Sequence, residues 1–232
     1  MPDNAALHCG SERRQLLHTV ISGAVPSAAA ETGIAQVASA GLPAGLSPDR
    51  ALEELLAGNR RFASNQLTSM EHDLAILKEQ TVSKQEPFAA VLACCDSRVP
   101  VELIFDQTIG RIFVTRVAGN IVTPEIIASL EYGVALLEIK VLVVLGHTSC
   151  GAVKAAMKSE TVPGQISSLY RPLRQAVEQS GGNLDKAIEA NIRIQADLLR
   201  TSSTVIGDAA KTGKLKVEAG MYDLATGQVR IA

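Results

Sequence analysis

The sequence predicts an α/β domain with a mainly parallel central β-sheet flanked by helices. Short continuous apolar runs recur at Ala89 to Ala93, Ile112 to Val117 and Val141 to Leu145. Segments with helical spacing of their apolar residues separate them. The chain has 232 residues, 47% of them hydrophobic, enough to bury one sizeable core. Apolar runs of that length between helical patterns are the mark of strands buried on both faces, as parallel strands are.

The elements follow in chain order. Ser47-Pro48-Asp49 opens the folded part: Ser47 caps a helix, Pro48 suits its first position and Asp49 complements its dipole. This helix runs to Phe62, and Glu71 to Lys84 is a second helix or helical turn. After the first two strands a helix starts behind Thr123-Pro124, with Ile127, Leu130, Val134 and Leu137 on one face. Another begins near Gly151. Asn183 to Arg200 is amphipathic, with Leu184, Ile188, Ile192 and Leu199 inward. Lys214 to Tyr222, a turn at Thr226-Gly227, and Gln228 to Ile231 form a closing hairpin.

The first 46 residues differ in composition. Ser11-Glu12-Arg13-Arg14-Gln15-Leu16-Leu17 resembles a twin-arginine export signal, a mildly apolar stretch runs from Leu16 to Val25, and Ala28-Ala29-Ala30 offers a cleavage site. The expectation is an export signal over residues 1–30, a flexible linker over 31–46, a catalytic domain over 47–232, and a periplasmic location. The alternative is a cytoplasmic protein with a disordered leader. A net charge of −2 argues against a nucleic-acid surface, and no apolar run approaches the roughly 20 residues of a membrane span.

Four cysteines are present, at 9, 94, 95 and 150. Adjacent Cys94 and Cys95 do not suggest a disulfide framework, and thiols grouped with a His suggest a metal. In an open parallel sheet, functional groups gather at the carboxyl ends of strands. The first strand leads into Cys94-Cys95-Asp96-Ser97-Arg98, the third into Gly146-His147-Thr148-Ser149-Cys150-Gly151. Cys94, His147 and Cys150 can therefore meet. Two thiolates and one imidazole make a three-ligand zinc site, and a vacant fourth position is the mark of a catalytic rather than structural zinc. The alternative is a buried Cys pair with a capping His. Strand alternation turns Cys95 away from the metal, as a small core residue. Asp96 and Arg98, two apart in an extended segment, fall on one side, where Arg98 can orient Asp96 and keep it ionised. A structural ion pair is the alternative.

Cys94-x-Asp96-Ser97-Arg98 with His147-x-x-Cys150 resembles the β-class carbonic anhydrases. The resemblance extends through Val99 to Gln107, Arg116-Val117-Ala118-Gly119-Asn120, Ser129-Leu130-Glu131-Tyr132-Gly133, Gly146 to Val153, and Tyr222-Asp223-Leu224-x-Thr226-Gly227, spanning about residues 47–232. It implies an N-terminal helical arm that embraces a partner, a homodimer or tetramer, and Zn2+ held by Cys94, His147 and Cys150. It implies reversible hydration of carbon dioxide to bicarbonate, with Asp96 and Arg98 catalytic. Asp96 joins the metal only in a closed state, and an open site is expected near neutral pH. Regulated bacterial members use a bicarbonate pocket containing a Trp; this chain has none. The resemblance also makes Gln85, reaching across a dimer, and the backbone of Gly151 candidate substrate-binding groups, though Gln85 equally suits an exposed loop. Val99 and Phe105 either line a carbon dioxide path or belong to the core. Hydrolysis of carbon disulfide or carbonyl sulfide on the same fold, and an inactive scaffold, remain alternative functions.

Overall fold

The computed structural model describes residues 45–69 and 74–232. The export signal expected over 1–30 and most of the 31–46 linker lie outside the described residues. Helix α1 (Pro48–Ala63) starts as its sequence dictates: the Ser47 hydroxyl accepts from Arg50 N at 3.3 Å, and Pro48 and Asp49 fill the first turn. Helix α2 (Leu74–Thr81) falls within the helical segment expected there, residues 71–73 of which lie outside the described set.

Strands β1 (Ala89–Ala93), β2 (Ile112–Arg116), β3 (Val141–His147) and β4 (Lys216–Tyr222) are parallel, and β5 (Val229–Ile231) runs antiparallel at one edge. The sheet order is β2-β1-β3-β4-β5. All of β1 and β3 is buried, which explains their unbroken apolar sequence. The alternating side chains divide between two cores. Ala90, Leu92, Leu142 and Val144 face one side, and Ala89, Val91, Ala93, Val141, Val143 and Leu145 face the other.

On the first side lie α4 (Pro124–Leu136), α5 (Gly151–Lys158), α6 (Tyr170–Gln179), α7 (Leu184–Ser202) and α8 (Thr204–Lys211). Thr123 caps α4 and Asn183 caps α7 through their side chains, at the positions the sequence marks. Ile188, Ile192 and Leu199 are buried as expected, with Leu184 partly so. On the second side, α1 lays Ala51 and Leu55 against the sheet beside the short helix α3 (Val101–Ile104). Val99 and Phe105 are buried there too, so they belong to the core.

Helices α3, α6 and α8 were not legible in the sequence. Helix α6 buries only Leu173 and Ala176, too narrow a stripe to read as periodicity. Helix α8, Thr-Val-Ile-Gly-Asp-Ala-Ala-Lys, opens with four residues of modest or poor helix propensity. It forms because Ser203 caps it at Ile206 N, 3.0 Å away, immediately behind α7. The Ser203 hydroxyl also donates to Glu131 of α4 at 2.6 Å.

One buried carboxylate, just after α3, ties α1 and the residues that follow it to the α3 turn. Asp106, with φ of 47°, accepts from Arg61 Nε at 2.5 Å, from the backbone of Thr68 and Ser69, and from the Thr68 hydroxyl. Burial alone would raise its pKa. The Arg61 guanidinium and these N–H donors overcome that and hold the carboxyl well below the usual carboxylate range. The folded-state pKa therefore lies under the unfolded one. The stability Asp106 contributes is complete above about pH 5 and is lost as pH falls through the folded value. Asp106→Asn is expected to lose about 1–3 kcal/mol at pH 7. Its urea stability should also fall less steeply between pH 5 and 3 than that of the unaltered protein; equal slopes would contradict the assignment.

Candidate metal centre

β1 and β3 lie side by side in the middle of the sheet, in register from Ala89 opposite Val141 to Ala93 opposite Leu145. The chain passes from β1 to β2 on one side, then crosses to β3 on the other. The carboxyl ends of β1 and β3 thus flank the point where strand order reverses, the usual place for a site in such sheets. Cys94 follows β1, His147 is the last residue of β3, and Cys150 caps α5 after a tight turn in which Ser149 has φ of 58°. Their ligand atoms all lie within 4.8 Å of one another, and all three residues are buried.

The expected convergence is therefore real, and its chemistry fits a metal. His147 Nδ1 lies 3.0 Å from the Thr148 carbonyl. A carbonyl can only accept, so Nδ1 carries the proton and Nε2 keeps its lone pair. That Nε2 is buried and has no hydrogen-bond partner. The thiols behave as a pair: hydrogen bonding to Cys150 brings the Cys94 pKa down against the effect of burial, with Gly119 N assisting. The bond to Cys94 and burial push Cys150 up. Cys94 is thus the readier of the two to ionise, and Cys150 the one that keeps its proton. A divalent cation would remove the second proton and satisfy both sulfurs and the orphaned Nε2 together. Two thiolates and a neutral imidazole are a donor set that would suit zinc.

Asp96 stands beside this cluster, its Oδ2 3.9 Å from His147 Nε2. It is gripped by Arg98 through Nε to Oδ1 at 2.9 Å, Nη2 to Oδ2 at 2.7 Å and the Arg98 backbone N to Oδ1 at 3.0 Å. The side-chain bonds to Arg98 are the main reason its pKa falls well below the usual carboxylate range. The pairing was expected, but its geometry differs from an extended segment. Asp96 to Val99 is a turn, closed by Val99 N to Asp96 O at 3.1 Å, and the carboxylate folds back onto its own backbone. Arg98 is half exposed, so the pair contributes little to folding and serves to fix an orientation. Its Nη2 also reaches Ser149 O at 3.5 Å, spanning the two ligand loops.

Cys95 is exposed rather than a small core residue. β1 ends at Ala93, and beyond that end no layer covers the side chain opposite Cys94. Gly151 begins α5 next to Cys150, with open space around its Cα, and so sits where a small anion can approach a helix N-terminus. Gln85 is exposed and precedes β1, at the end of that strand away from Cys94. One chain does not bring it to the cluster.

Three supporting groups escaped the sequence reading. Arg116, the last residue of β2, donates from Nε to Cys94 O at 3.0 Å and from Nη2 to Asp96 O at 2.6 Å, clamping the first ligand loop. Thr148 accepts from Leu224 N at 3.0 Å, while its own N donates to Tyr222 O, stapling the second ligand loop to the end of β4. Gly146 leaves room for α7: a Cβ there would stand 2.5 Å from Ile192 Cγ2. A lone Arg at a strand end and a Gly before a His were the available signals. Gly146→Ala should cost about 1–3 kcal/mol in urea unfolding, because it pushes β3 from α7. It should also lower the zinc retained after dialysis, by moving His147; full stability and zinc content would show that the close approach is dispensable.

The profile of a family described as carbonic anhydrase matches residues 89–229. A carbonic anhydrase of Mycolicibacterium smegmatis is 30% identical over 194 residues, covering 80% of this chain and 93% of its own. A β-carbonic anhydrase of Aspergillus fumigatus superposes with a TM-score of 0.63 at 28% identity, over 78% of this chain and 90% of that one. A tetrameric β-carbonic anhydrase of Sordaria macrospora superposes with a TM-score of 0.64 over 78% and 95%; at 23% identity this is a likeness of fold.

Proposed function

This chain belongs to the β-carbonic anhydrase family, and on that premise we propose that it converts carbon dioxide and water reversibly to bicarbonate and a proton. The observation that carries the proposal is the buried Cys94, His147 and Cys150 set, with the unpartnered Nε2 of His147 turned into it and Asp96 held alongside by Arg98. Zinc, when bound by these three, supplies the Lewis acidity that ionises water near neutral pH.

The chain's own residues then have distinct tasks. Asp96 is kept ionised, so at neutral pH it can only accept a hydrogen bond, and the bidentate grip of Arg98 fixes which lone pairs face the cluster. It accepts a hydrogen bond from the attacking oxygen and so aims a lone pair of that oxygen at the carbon of carbon dioxide. Asp96 is bound to Arg98 and is not one of the three grouped ligands, which supports the reading of an open site. The Gly151 backbone at the start of α5 suits the growing negative charge on a bicarbonate oxygen. Gln85 of a second copy is the proposed distal contact to substrate. That assigns the protein to a homodimer or tetramer, supported by exposed Ile109 beside β2 and exposed Tyr132 and Leu136 on α4. We further propose export to the periplasm, on the twin-arginine pattern of residues 11–17 alone.

The test pairs zinc quantitation with stopped-flow hydration of carbon dioxide. Cys94→Ser and His147→Asn are expected to lose both metal and activity. Asp96→Asn should keep its zinc and lose roughly 100-fold or more in kcat. Faster turnover of carbonyl sulfide or carbon disulfide than of carbon dioxide by the unaltered protein would overturn the substrate assignment.

A further inference from the structure

The cluster's supporting structure includes a polar network buried inside an otherwise apolar face. Asn191 and Gln195, one turn apart on α7, are 0% and 1% exposed, among Ile188, Ile192, Ala196 and Leu199. Polar side chains that deeply buried destabilise a core unless something specific is gained. Apart from a 3.5 Å contact of Gln195 Nε2 with Pro172 O on α6, their hydrogen bonds run toward one loop. Asn191 Nδ2 donates to Gly119 O at 2.9 Å, and Gln195 Oε1 accepts from Val122 N at 2.8 Å. Gln195 Nε2 donates to Asn191 Oδ1 at 3.1 Å, fixing which way the Asn191 amide faces. The two side chains therefore grip both ends of the short loop from Gly119 to Val122.

That loop is strained. Gly119 has φ of 73°, and Asn120, which is not glycine, has φ of 42°. The Asn120 Nδ2 is also buried without a partner. Two successive left-handed residues cost energy and persist only when their surroundings hold them. Their effect is to direct the two polar groups of Gly119 apart: its carbonyl meets Asn191, while its N–H lies 3.3 Å from the Cys94 sulfur.

We propose that Asn191 and Gln195 are positioning residues for the metal centre, holding the Gly119 N–H on the Cys94 sulfur through the Val117–Val122 loop. The proposal rests on the reading of Cys94, His147 and Cys150 as zinc ligands. An N–H···S contact sets both the direction and the electron donation of a thiolate ligand, so the pair on α7 tunes the site without touching metal or substrate. The same helix also fixes the other ligand strand, because Ile192 packs on Gly146, next to His147. A single helix thus sets the relative placement of Cys94 and His147.

The experiment compares Asn191→Ala and Gln195→Met with Leu199→Val, a buried substitution on the same helix outside the network. Each protein is measured for zinc affinity by competition with a chelator. The cobalt(II)-substituted forms are measured for the energy of the thiolate-to-cobalt charge-transfer band. Asn191→Ala and Gln195→Met are expected to weaken zinc binding about tenfold or more and to shift the band. Leu199→Val should lower the thermal midpoint yet leave both readouts unchanged. Gln195→Met nearly preserves volume and carries the test if Asn191→Ala does not fold. Unshifted bands with unchanged affinity in the network variants would overturn the proposal, as would an equal shift in Leu199→Val. Cys94→Ser is included to separate the two readings: if it keeps full zinc affinity, the ligand assignment fails and the proposal with it. If it loses zinc while Asn191→Ala and Gln195→Met do not, only the positioning role fails.

Discussion

Parallel pairing of β1 with β3 is the constraint on which the rest depends. The two strands are neighbours in the sheet although the whole β2 and α4 excursion lies between them in sequence. Their ladder ends with Ala93 opposite Leu145, so Cys94 and His147 emerge from the same carboxyl end of the sheet, one residue apart in register. Parallel strands need long crossovers, and the crossovers are the helices that bury the sheet. The fold that makes the core and the fold that makes the site are thus one arrangement. Neither could be altered alone.

Precision comes from polar contacts to the two ligand loops. Arg116 grips the loop after β1 by two carbonyls, and Thr148 joins the loop after β3 to the end of β4. Arg98 spans both while orienting Asp96. A network from α7 reaches Gly119 behind the first loop. Such contacts add little to overall stability individually, about 1 kcal/mol each. Their value is geometric, because a metal-ligand set must be held to fractions of an ångström. The sheet supplies the approximate placement and these bonds the final one.

The charge pattern of the centre follows from the same positions. Cys94 is drawn toward the thiolate and Cys150 toward the thiol, and His147 offers a buried lone pair with nothing to receive it. A bound cation would satisfy all three groups at once. Asp96, by contrast, is gripped by Arg98, which is the main reason it stays ionised. Acceptor and ligands are therefore kept as separate units a few ångströms apart.

Much of this was legible in the sequence. The unbroken apolar runs of β1 and β3 announce strands buried on both faces, Ser47, Thr123 and Asn183 mark helix starts, and Cys94, Asp96, Arg98, His147 and Cys150 stand at strand ends. These are local signals: burial repeats along a strand, and a cap needs only its own next turn. Other features were decided by tertiary structure alone. Cys95 is exposed because β1 stops before it, the Asp96–Arg98 pair is made by a turn, and α6 and α8 depend on neighbours more than on their own propensity. The roles of Arg116, Thr148 and Asn191 were equally hidden, since each acts on a backbone group distant in sequence. A residue's type shows which bonds it is able to make; which partner it finds is settled only when the chain has closed around it.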